Sequence, residues 1–263
     1  MTALSAMPAV LAEARGISRR FGGLQALDNV SVLVRKGRIR AVIGPNGAGK
    51  TTLFNIVSGV LRPDGGQVVL DGHDITHHAP HRIAAMGVSR TFQTPSLFLN
   101  MTVLENVMLG RHVRSSCGFL GAALRLPAQA KEERRIRDDA LRALEDVGLG
   151  AEADRSAGAL SYGQRRMVEL ARALATEPRL LLLDEPASGL NTRESDELGE
   201  RIRRIRDSGV TILLVEHDMS LVMDVSDDVL VLHFGRMIAD GTPAEVRADG
   251  QVVSVYLGGE VAS

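Results

Sequence analysis

Apolar residues are arranged along this chain in two kinds of run. Short, nearly unbroken runs at 39–43, 180–183, 211–215 and 229–233 have the character of strands buried on both faces. Between them, apolar positions recur at helical spacing. Residues 51–58 align Leu53, Ile56 and Val57, and residues 132–147 align Ile136, Ala140, Leu144 and Val147 ahead of a stop at Gly148. Residues 165–175 align Met167, Leu170, Ala171 and Leu174, and residues 194–206 align Leu198, Ile202 and Ile205 before Gly209. Strands are also predicted at 30–34, followed by a turn at Lys36-Gly37, and at 67–70, preceded by the turn Pro63-Asp64-Gly65-Gly66. Thr242-Pro243-Ala244-Glu245 reads as a capping box that opens a last short helix.

Buried strands alternating with amphipathic helices predict an α/β fold: a mostly parallel sheet flanked by helices, with an antiparallel β part near the N-terminus. Strand-like runs disappear between residues 94 and 159, which predicts a helical subdomain inserted into a core of residues 9–93 and 160–245, with a tail at 246–263. The 263 residues are 44% hydrophobic, enough for a sizeable core. Lys and Arg total 31 against 32 Asp and Glu, so no basic excess favours nucleic acid. The single cysteine, Cys117, excludes an internal disulfide and suits a reducing compartment. The first residues show no secretory signal, and no run approaches the roughly 20 apolar residues that cross a bilayer. A soluble, cytoplasmic protein is expected.

The strongest chemical signal is Gly44-Pro45-Asn46-Gly47-Ala48-Gly49-Lys50-Thr51-Thr52, between a buried strand and a helix. It fits the glycine-rich loop whose backbone N–H groups surround nucleotide phosphates. Gly44, Gly47 and Gly49 supply positive φ and leave room for an anion, and the following helix directs free N–H groups at it. Lys50 is expected to reach the β- and γ-phosphates, Thr51 to coordinate Mg²⁺, and Thr52 to add a phosphate contact. In an open parallel sheet, ligands lie beyond the C-terminal strand ends. Two further buried runs end in polar residues there, in Asp184-Glu185-Pro186 and in Glu216-His217-Asp218. Asp184 is placed to hold Mg²⁺, Glu185 to act as a base on water, and His217 to contact the γ-phosphate and orient that water. The bland alternative for each is a polar turn or a structural histidine.

Leu160-Ser161-Tyr162-Gly163-Gln164 has two readings. Ser161 and Gln164 make a capping box for the next helix. The same helix start, free of bulky acids, is a second anion site, which suggests a γ-phosphate held by another subunit. The four motifs together resemble the ATP-binding subunit of ABC transporters over nearly the whole chain, as one domain of residues 9–259. That resemblance implies ATP and Mg²⁺ as ligands. It assigns Phe21 to adenine stacking, against a buried strand-end phenylalanine as the alternative, and Gln93 to Mg²⁺, the attacking water and the hinge of the helical subdomain. Ser161, Gly163 and Gln164 would face the opposing γ-phosphate, and residues 188–191 would lie at the dimer seam. Residues 90–93 (RTFQ), 102–110 (TVLENVMLG), 189–191, 216–223 (EHDMSLVM) and 256–259 (YLGG) look most like the larger ATPase of branched-chain amino acid importers. Tyr162 and Asn191 depart from the wider family's glycine and aspartate.

The partners so implied are a second ATPase subunit in a head-to-tail dimer, two membrane permeases and, indirectly, a periplasmic solute-binding protein. The chain would sit peripherally on the cytoplasmic face of the inner membrane. Rival readings are a lipopolysaccharide-export ATPase, a soluble clamp-like ABC ATPase and a small-molecule kinase; a kinase is disfavoured by Glu185 and LSYGQ. His73, His77, His78 and His81 crowd one stretch, but Pro80 starts a helix that leaves His77 and His78 outside it, so a metal site is not expected. Residues 131–137 read as a solvated helix face, and residues 117–124 as either subdomain core or a contact with a membrane partner.

Overall fold

The computed structural model describes residues 9–91, 96–111 and 127–257. Its strands are β1 (Val10–Phe21), β2 (Leu24–Arg35), β3 (Ile39–Ile43), β4 (Gly65–Leu70), β5 (His73–Asp74), β6 (Val88–Arg90), β7 (Leu180–Asp184), β8 (Thr211–Val215), β9 (Asp228–His233) and β10 (Arg236–Gly241). Its helices are α1 (Lys50–Val57), α2 (Pro80–Ala85), α3 (Val103–Arg111), α4 (Pro127–Asp146), α5 (Tyr162–Leu174), α6 (Thr192–Asp207), α7 (Met219–Val225), α8 (Pro243–Ala248) and α9 (Gly250–Leu257). Six strands form one sheet in the order β10-β9-β3-β8-β7-β6, parallel except for β10 at its edge. The strands β2-β1-β4-β5 form a separate antiparallel sheet. The expected α/β architecture is therefore present. The turn at Lys36-Gly37 does not close a hairpin, because the strands on either side of it belong to different sheets.

Alternation along the central strands explains the layers. Leu181 and Leu183 of β7, with Ile212 and Leu214 of β8, point into a cluster with residues of α3, α4, α5 and α6. Leu180, Leu182, Leu213 and Val215 point the other way, into a cluster with α1 and the antiparallel sheet. A third cluster joins Ala41, Ile43, Val229 and Val231 to Val222 of α7, Val246 of α8 and Val252 of α9. Because β3, β7 and β8 are covered on both faces, all their residues are buried. Among the described residues from 96 to 159 the only β pairing is an isolated bridge between Thr102 and Ser156. The helix α5 packs against α3 and α4, so this helical layer continues past residue 160 into α5.

Strand register sets the working edge. Val42 pairs with Val215, and Val215 pairs with Asp184, so β3, β8 and β7 end level with one another. The three polar sequences that follow them share one edge of the sheet.

Candidate functional site

The loop after β3 turns through Gly44, Gly47 and Gly49, all at positive φ (150°, 79° and 104°). A Cβ on Gly44 would lie 2.1 Å from the Leu232 carbonyl oxygen, so this glycine is required by the close approach of β9. Around Gly47 a Cβ would meet nothing, which leaves the loop open on that side. Gly49 occupies the N-cap of α1 without a side-chain cap, and the first turn holds no acid. The first N–H groups of α1 are thus free of side-chain caps, and the helix dipole adds positive potential there. Pro45, Asn46, Ala48 and Thr52 complete the loop, with Asn46 and Thr51 exposed and Ala48 buried.

Lys50 is buried, and its ammonium donates to the Gly44 and Pro45 carbonyl oxygens at 2.6 and 3.1 Å. Burial pushes its pKa below the ordinary lysine range, and the carboxylates of Glu185, Asp184 and Glu216 oppose that shift. Three carboxylates near Lys50 make this edge rich in hard oxygen donors. Asp184, at the last position of β7, is 5% exposed and pairs with Arg90 at 2.7 Å. The Arg90 guanidinium also donates to Asn55 Oδ1 and Ser58 Oγ, tying the end of α1 to the carboxylate. The Thr51 hydroxyl and the Asp184 carboxylate are ligand types that suit Mg²⁺, an ion that uses one or two carboxylates along with substrate phosphates. Gln93 lies outside the described residues, as do residues 117–124.

Glu185 adopts φ 47°, a conformation uncommon for a non-glycine residue and costing about 1 kcal/mol or more. Its backbone is held on both sides: the N–H donates to the Val215 carbonyl at 2.8 Å, and the carbonyl accepts from buried Arg166 at 3.2 Å. The Glu185 carboxylate lies 3.8 Å from His217 Nδ1, and the His217 ring is largely exposed. The two proposed hydrolytic side chains are therefore neighbours facing the open edge. Glu216, Arg90 and Arg166 were not legible as site residues, since each acts through contacts with strands or loops distant in sequence.

At the other motif the capping box is real. Ser161 Oγ accepts the Gln164 N–H at 3.3 Å, and Gln164 Oε1 accepts the Ser161 N–H at 3.0 Å. Ser161 nevertheless remains exposed, so capping and an anion contact do not exclude each other. A Cβ on Gly163 would lie 2.9 Å from Glu194 Oε1, and one on Gly189 (φ 80°) would lie 2.9 Å from the Tyr162 ring. Asn191 caps α6 in a second reciprocal box with Glu194. While α5 packs on α3 and α4, α1 packs against β1, β2 and β7. Phe21, at the end of β1, is 45% exposed with the Arg19 guanidinium 5.0 Å from its ring centre. The buried strand-end alternative for this residue is thereby removed.

Known proteins bear on this geometry. The family profile described as ABC transporter matches residues 27–188, and one described as branched-chain amino acid ATP-binding cassette transporter matches residues 236–262. The chain is 45% identical over 94% of its length, and 97% of the relative's, to the high-affinity branched-chain amino acid transport ATP-binding protein BraF of Pseudomonas aeruginosa. It is 42% identical to the corresponding LivG of Escherichia coli, covering 94% of this chain and 98% of that one. A solved structure of the ADP conformation of an ATP-binding cassette of an ABC transporter superposes with a TM-score of 0.83 at 35% identity, over 95% of this chain and 99% of that one. The resemblance expected from the four motifs is borne out. With a glycine-rich loop, an acidic strand end and a second that carries His217 on one edge, and these matches over nearly its whole length, the chain belongs to the ABC transporter family, as one of its ATP-binding, ATP-hydrolysing subunits.

Proposed function

We propose that this chain hydrolyses ATP to power a transporter of branched-chain amino acids or similar small solutes. The level ends of β3, β7 and β8 carry this reading, since they bring Lys50, Asp184, Glu185 and His217 to one edge. Branched-chain transport is favoured by the named relatives and by the match at 236–262.

In this reading the 44–52 loop and the α1 N-terminus cradle the triphosphate, and Phe21 stacks on the adenine. Lys50 exchanges its loop carbonyls for β- and γ-phosphate oxygens. Thr51, Asp184 and Gln93 would hold Mg²⁺, which would supply positive charge to offset the charge developing on the phosphates. Glu185 accepts a proton from the attacking water, and His217 holds the γ-phosphate and that water in line. Ser161, Gly163 and Gln164 of a second ATPase subunit complete the site from outside. A lone subunit is then catalytically incomplete. Closure of the pair would draw the helical segments together and move two permeases at the cytoplasmic face of the membrane, with a periplasmic binding protein delivering solute. Among the described residues no helix is long and apolar enough to cross a membrane, in keeping with a peripheral subunit.

Glu185→Gln tests the chemistry. Bound ATP should be retained, turnover should stall, and light scattering with MgATP and the cognate partner subunit should show a dimer. Persistent monomer, or turnover at the unsubstituted rate, would refute the reading.

A further inference from the structure

The carboxylate of Glu216 has no exposed surface, yet it sits between two loops of the site. One oxygen accepts the Ala187 N–H at 2.7 Å, and the other accepts the N–H groups of His217 at 2.8 Å and Asp218 at 3.3 Å. Ala187 belongs to the loop between Glu185 and the seam residues 188–191, and His217 is the proposed γ-phosphate contact. Starting α7 does not require Glu216, because Asp218 caps that helix through the N–H groups of Ser220 and Leu221. Nor is Glu216 needed to anchor Glu185, whose backbone is held by Val215 and Arg166. What Glu216 adds is a link from one loop to the other. Only a carboxylate of this length supplies two acceptor oxygens in opposite directions. A glutamine offers one, and its amide N–H₂ would oppose an N–H on the other side.

We propose that Glu216 is a positioning residue that joins the His217 loop to the seam loop, so that γ-phosphate contact and the dimer seam change together. This rests on the reading of Glu185 and His217 as the hydrolytic pair. Along with Glu185 and Asp184, the buried negative charge favours the charged form of Lys50.

The test uses the full chain with its cognate partner subunit. In Glu216→Gln, kcat should fall about tenfold or more while KM for ATP stays within about threefold. A variant with unchanged kcat, or one that loses only affinity, overturns the proposal. Should the variant not fold, amide hydrogen exchange on the unsubstituted chain decides. MgATP is expected to alter exchange at Ala187 and His217 together, and a change at one without the other overturns the link. Where Glu216→Gln does fold, the same measurement should show the two amides responding separately, which a purely structural role would not produce. Absence of ATPase activity in the unsubstituted complex would defeat the functional reading itself. An active complex indifferent to Glu216 would defeat only this inference.

Discussion

Lys50 brings a positive charge into a nearly closed place beside three carboxylates, where its ammonium is held by two loop carbonyls. Burial costs the charged form free energy, and a polyanionic phosphate at the same spot offsets that cost better than neutral carbonyls do. Replacement by alanine should therefore weaken ATP binding at least about tenfold, or about 1.4 kcal/mol, by calorimetry. Unchanged affinity would remove the phosphate-loop assignment. Residues of this kind were legible because residue type and spacing spell out their chemistry: small residues, then a cation, then hydroxyls at a helix start. Glu216 was not. Its role depends on Ala187 reaching it from a loop that leaves a neighbouring strand, a contact that strand order alone creates.

At the scale of elements, α6 shows how a polar residue serves two purposes. Asn191 Oδ1 accepts the Glu194 N–H at 3.0 Å, and Glu194 returns the bond to the Asn191 N–H at 3.0 Å. Asparagine and aspartate cap helices about equally well, which explains why the departure from aspartate leaves the helix start intact. Asn191→Ala should cost about 1 kcal/mol in urea unfolding, and Asn191→Asp close to nothing. A loss of similar size in both would show that the amide nitrogen matters, against the capping account. Periodicity located α5 and α6 to within a few residues, since each buries one clear face, and found α4 without its first turn, which starts at Pro127. It did not delimit β1. That strand pairs with β2 through several register shifts and carries Glu13, Arg15 and Arg19, which are satisfied by ion pairs along the sheet instead of by alternation. The short α7 and the separate α9 were also missed, being one or two turns long with weak signals of their own.

For the molecule as a whole, the two sheets are joined by apolar packing and by polar ties at their margins. Asp71, just after β4, accepts from Arg179 at 2.6 Å ahead of β7 and pairs with Lys36 at 2.9 Å in the β2–β3 connection. Those partners hold its carboxyl down at about 2, below the usual 3.8. A depressed acid stabilises the fold above its ordinary pKa and loses that contribution as pH falls through the depressed value. Asp71→Asn should thus flatten the rise in unfolding midpoint between about pH 2 and pH 4 while changing little below it. An identical pH profile would show that the tie contributes nothing, as many exposed pairs do. Composition could not reveal such ties, because they join segments distant in sequence, Asp71 and Arg179 by 108 positions. Gly163, in the first turn of α5, faces the flexible end of Glu194 on α6, and Gly189, in the loop before α6, faces the Tyr162 ring. Descendant sequences meet different limits at the two glycines, because the Glu194 carboxylate can swing aside whereas position 189 keeps its left-handed backbone whatever the ring does. Bulk gained at 163 is accommodated by a shift or shortening of the side chain at 194, whereas a larger residue at 189 stays strained even beside a smaller ring at 162, so drift is expected at the first position and glycine at the second.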